Sequence, residues 1–152
     1  RWSLVVGRAA EMVVGSGAIA LAGWLGLVLG VQALPDLLSH QLPLTHYGLA
    51  ALMAWLIFGA LGGVAFLIAA CFSRTALSAG LGTAWTLIAF VLDVIPAVAE
   101  SPVGWINPWH HYFPQAVVAS RQLDPVGVVV LLAWLAGGVA AASWVFGRRD
   151  MA

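Results

Sequence analysis

The side chains best suited to chemistry gather in one stretch, "INPWHHYFPQ" at 106–115, where His110 and His111 stand side by side among Trp109, Tyr112 and Phe113. Imidazoles bind transition metals and move protons near neutral pH, so one reading is a metal centre that adds His40, His46 or Glu100 to this pair. Spacing argues against it: adjacent residues of a helix point about 100° apart, and no H-x-x-x-H or similar ligand spacing occurs. No metal is therefore expected. The other reading is interfacial. Trp105, Trp109, His110, His111 and Tyr112 combine apolar bodies with polar tips or edges, the type that collects where headgroups meet acyl chains.

Other catalytic devices fail on composition. A P-loop needs a lysine to reach the phosphates, and this chain has none. The "GSG" at 15–17 lacks the leading glycine of a G-x-S-x-G elbow and has no His or Asp at its depth. A haem held between helices needs imidazoles inside the apolar runs, whereas these lie outside them. An aspartyl intramembrane protease needs two carboxylates in the membrane, and Asp93 alone qualifies. No catalytic residue and no cofactor are expected in this chain. Its 6 basic and 6 acidic residues cancel, leaving no basic face for nucleic acid. Cys71, the 1 cysteine, excludes a disulfide framework within the chain.

The elements that must position these groups are membrane spans. With 62% hydrophobic and 8% charged residues, the chain has too little polar surface to wet a globule. Four apolar runs, near 12–34, 47–72, 76–99 and 125–146, are long enough to cross a hydrocarbon core of about 30 Å as helices. The expected fold is an all-α polytopic transmembrane bundle of four spans, one transmembrane domain over 1–152. Pro35, Pro96 and Pro125 mark edges of the runs, and Pro102, Pro108 and Pro114 punctuate an external interfacial segment at 100–124.

Orientation follows from arginine, because cytoplasmic flanks retain positive charge during insertion. With an even number of crossings, Arg1, Arg8, Arg74, Arg148 and Arg149 fall on one side and Arg121 alone lies opposite. Both ends should be cytoplasmic, and His40, His46, His110 and His111 should all lie outside.

Within the spans, Gly26 with Gly30 and Gly59 with Gly63 have the G-x-x-x-G spacing that lets helices approach closely, and Gly137, Gly138 and Ala142 add small residues later. On the third span Ser78, Thr83, Thr86 and Asp93 project within an arc of about 140°. An ionisable group in a membrane helix faces protein, water or the interface. These four therefore line a polar pathway or a helix interface, unless Asp93 simply meets headgroup water at a shallow depth.

The order of these features resembles a known family. "VVGRAAEMVVGSGAIALAGWLGLVLG" at 5–30 resembles the basic-flanked third span of a bacterial ABC transporter permease, and "CFSRTALSAGLGTAW" at 71–85 is similar to the arginine-bearing turn between that family's fourth and fifth spans. "AESPVGWINPWHHYFPQ" at 99–115 looks like its outer segment, and "ASWVFGRRDMA" at 142–152 like its closing tail. The family is the ABC-2-type exporter permease. The resemblance implies the C-terminal four spans of a six-span permease of the bacterial cytoplasmic (inner) membrane. It also implies a second permease bundle, identical or different, and ABC ATPase subunits that bind ATP and Mg. Arg8, Arg74, Arg148 and Arg149 would form the cytoplasmic flank, with Arg74 and the 148–150 tail either near the motor or setting topology only, and Glu11 interfacial. The rival from another class is a membrane-anchor or assembly subunit, metal-linked through the external histidines.

Overall fold

The structure, a computed structural model, describes residues 2–33 and 44–149, with side chains described over 5–33 and 47–148. Four long helices dominate: α1 (Trp2–Ala33), α2 (Leu44–Cys71), α3 (Thr75–Val94) and α7 (Pro125–Arg149). Between α3 and α7 come α4 (Pro96–Ala99), α5 (Pro102–Ile106), a 3-10 turn (Pro108–His111) and α6 (Pro114–Ser120). Each long helix is long and apolar enough to cross a membrane, and among the described residues no strand forms. The all-α four-span bundle stands.

Two boundaries differ from the apolar runs. Helix α1 starts well before residue 12, because 2–11 contains no proline and its charges pair on the exposed surface, Arg8 Nη1 donating to Glu11 Oε2 at 2.9 Å. The third span stops at Val94 rather than reaching Ala99. Proline excludes the preceding residue from the helical region, and Ile95 is extended at φ −84°, ψ 110° before Pro96 opens α4.

Helix α2 is the hub. Its Met53, Leu56, Ile57, Ala60 and Leu61 form the core with Leu131 of α7 and Val117 of α6. Helices α2 and α7 run parallel and cross closely at glycine. A Cβ on Gly63 would lie 3.0 Å from the backbone of Leu135, and one on Gly138 would strike the backbone of Gly63. Helix α1 lies antiparallel to α2, with Trp55 Nε1 donating to Val13 O at 3.0 Å and Met12 packed on Gly62. Helix α3 is also antiparallel, its Gly82 against Ala65. Both pack chiefly on α2 and leave apolar faces uncovered, among them Val14, Ile19, Leu29, Ile88 and Val94.

This arrangement separates the glycine pairs. Gly59 and Gly63 face α7, whereas Gly26 and Gly30 meet nothing within 4 Å and contribute no packing among the described residues. Their spacing is fulfilled, but α1 turns a different stripe toward α2. The same registers put Arg8, Arg74 and Arg148 at one end of the bundle and Arg121 at the other. Arg1, Pro35, His40 and Asp150 lie outside the described residues, as do the side chains of His46 and Arg149.

Candidate functional site

The segment from Ile95 to Asp124 folds back as a cap held by α3 and α7. Ser101 starts it: its Oγ accepts from Val103 N at 3.2 Å, capping α5, and donates to Val98 O at 2.6 Å. Gly104 then sits against the backbone of Ala99 with no room for a Cβ, so α4 and α5 double back tightly. Asn107 follows, and its amide works at both ends. Oδ1 accepts from Trp109 N at 3.2 Å, opening the 3-10 turn, while Nδ2 donates to Ala89 O of α3 at 2.7 Å.

The cap is held from the other side by α7, where Trp134 Nε1 donates to Ile106 O at 2.7 Å. At 1.5 Å per residue, Trp134 lies about 13 Å beyond Pro125 along α7, and Ala89 about 8 Å before the end of α3. Residues 106–107 therefore reach well below both helix ends, and the segment re-enters the bundle. Membrane-depth backbone of this irregular kind is tolerated where protein covers it; Gly104, Asn107, Pro108 and His111 are all buried. The chain returns through α6, which ends at Arg121 in the left-handed conformation (φ 61°). Asp124 then caps α7, accepting from Val126 N at 3.2 Å and Gly127 N at 2.9 Å.

The two histidines play different parts. His111 is 6% exposed and its Nε2 donates to Trp105 O at 2.8 Å, which fixes that nitrogen as the protonated one because a carbonyl only accepts. His110 Nδ1 lies 3.3 Å from Asp93 Oδ1, within ion-pair range when the imidazole is protonated. The geometry falls short of a hydrogen bond, and Oδ1 is buried without another donor. The His110 ring is bordered by His111 at 5.4 Å, Trp105 at 6.2 Å and Phe113 at 6.2 Å between centroids.

Several expectations change here. Trp109 and Tyr112 are partly buried against the core, Trp109 also edge-on to Phe90 at 5.4 Å. Trp105, 60% exposed, is the member of that group left at the surface. The polar arc on α3 divides. Ser78, Thr83 and Thr86 line a groove of 550 Å³ between α2 and α3, whereas Asp93 belongs to the cap with His110. The Ile95 break folds the chain back over the end of α3 and delivers His110 to the carboxylate. In the groove, Ser78 Oγ donates to Thr75 O and Thr86 Oγ1 to Gly82 O, each at 3.0 Å.

Sequence reasoning missed Asn107, Gly104 and Trp134, whereas Gly138, read as a packing glycine, does meet Gly63. Asn-Pro at 107–108 was a turn signal that pointed at Asn107; nothing in the sequence marks Trp134 as its neighbour's donor. Among the described residues no group of three His, Cys, Asp or Glu side chains gathers to hold an ion.

No family model matches this chain, and no curated protein or solved structure matches it either. The arrangement offers binding chemistry: a mainly apolar groove between two spans with hydroxyls of Ser78, Thr83 and Thr86 among its lining, and a re-entrant cap with one carboxylate–imidazole pair.

Proposed function

We propose that this chain is the membrane-spanning permease part of an ABC exporter in a bacterial cytoplasmic membrane, both ends cytoplasmic. In this reading it forms a substrate pathway with a second permease bundle, and partner ATPase subunits bind ATP and Mg and drive it. Closure of those subunits would switch the pathway between inner and outer access, favouring whichever state binds them better. The observation that carries the reading is the groove of 550 Å³ lined by Ser78, Thr83 and Thr86. Hydroxyls facing a cavity, rather than packed against a neighbouring helix, give polar groups of a cargo something to meet inside the membrane. The ordered resemblance to the ABC-2-type permeases adds the motor and the pairing.

The test is substrate-stimulated ATP hydrolysis and export by the complex reconstituted with its ATPase. Thr83→Leu and Thr86→Val should lower both several-fold at unchanged folded yield. Wild-type export from both variants would remove the groove as the pathway and favour the membrane-anchor alternative.

A further inference from the structure

Trp105 lines two neighbouring cavities. One is a cleft of 540 Å³ bounded by His110, Phe113, Gln122 and Asp124. The other, a groove of 510 Å³, runs between α2 and α7 over Val64, Leu67, Val130 and Gly137. The cleft carries the cap's polar atoms, and the groove is lined by apolar side chains, glycines and the two indoles. Each is of the size that small-molecule sites have, roughly 300–1,000 Å³.

We propose that the two together bind one amphiphile, its ammonium head in the cleft and its hydrocarbon tail in the groove. This deepens the permease reading by naming a cargo class, and rests on it only for that purpose.

The sign of the head follows from Asp124. Its two oxygens each accept one backbone N–H, which leaves further lone pairs, and among the described residues no cation pairs with it. The positive charge that His110 carries when protonated is met by Asp93 at 3.3 Å, so it does not cancel Asp124. Trp105 and Phe113 stand 60% and 51% exposed at the same cleft, and aromatic faces attract ammonium groups. The length of the tail follows from α7. From Asp124 to Gly137 the helix rises about 20 Å at 1.5 Å per residue, somewhat more than half of a hydrocarbon core of about 30 Å. A site of that reach spans one leaflet, with its polar end where headgroups lie. Gly137 forms an open floor, since a Cβ there would meet nothing within 4 Å.

The experiment places the full-length protein in phosphatidylcholine-free nanodiscs, without ATPase or nucleotide, and titrates radiolabelled dodecyltrimethylammonium against dodecyl maltoside. Wild type should bind the cationic probe saturably and about tenfold more tightly than the neutral one, the scale of a desolvated cation–π contact with a carboxylate nearby. Gly137→Leu, whose Cβ has open space and whose longer side chain would occupy the groove, should weaken both probes. Asp124→Asn keeps a side-chain acceptor for the cap of α7 and should erase the preference for the cationic head while sparing the neutral probe. Equal binding of the two probes by wild type, or undiminished binding by Gly137→Leu in folded protein, overturns the proposal. Discs made with phosphatidylethanolamine identify the source. Competition there points to a bilayer aminolipid, and unchanged binding to a soluble ammonium amphiphile. Absent binding beside ATP-driven export of other cargo sinks this site alone. Binding by a chain that recruits no ATPase sinks the permease reading alone.

Discussion

Asn107 joins the cap to α3 through one amide, which opens the 3-10 turn with its oxygen and reaches Ala89 O with its nitrogen. A buried acceptor left without its donor costs about 1–3 kcal/mol. Asn107→Leu should therefore lower the thermal midpoint of the detergent-solubilised protein by several degrees, and a wild-type melt would show that the cap is held by other contacts. Asp93 has a different role, facing His110 with an otherwise unpartnered oxygen. Asp93→Asn preserves shape and polarity and should be tolerated, whereas Asp93→Leu places an apolar group against the imidazole and should reduce folded yield. Equal, wild-type-like yields from both variants would leave the pair without a structural role. For the histidines, replacing His110 and His111 with Gln should leave metal content unchanged. Stoichiometric zinc or copper that disappears in the double variant would promote the metal-linked anchor instead.

At the scale of elements, the parallel pair α2 and α7 depends on backbone contact at Gly63 and Gly138. Lipid gives helices no hydrophobic reason to associate, so close approach and dispersion supply the attraction. Gly138→Val would push the helices apart, with an overpacking cost of about 1–3 kcal/mol, and should cut the yield of folded protein. Gly26→Leu, on the open face of α1, should leave the monomer's melting unchanged. If Gly26→Leu is the more damaging of the two, α1 must have a partner on that face. The Ile95–Pro96 break matters equally: without it α3 would continue outward, and Asn107 and His110 would not return to Ala89 and Asp93.

For the whole molecule, the registers of the spans gather Arg8, Arg74 and Arg148 at one end and place Arg121 and the cap at the other. Retention of positive charge on the cytoplasmic side then predicts which end faces in. In a Cys71→Ser background, Ser73→Cys should be labelled by an impermeant thiol reagent only after the membrane is opened. Trp105→Cys, in the cap at the opposite end, should be labelled in intact cells. Labelling of position 105 only from the inside would reverse the orientation.

The amino-acid sequence by itself determined that there are four apolar spans, where prolines interrupt them, and which arginines share an end. These are properties of length, composition and local backbone chemistry, which need no knowledge of neighbours. Tertiary structure decided which glycines touch another helix, because G-x-x-x-G spacing describes a face and not what that face meets: Gly63 finds Gly138, and Gly26 finds nothing. It also decided that 100–124 enters the bundle. A proline-rich, aromatic segment has the composition of an interfacial belt, and only the donors on Asn107 and Trp134, aimed at Ala89 O and Ile106 O, pin it below the helix ends. Asp93 was legible as an unusual carboxylate, but its partner was not. His110 follows it by a folded-back turn whose direction depends on packing against α2 and α7, and long-range packing leaves no periodic mark in a sequence.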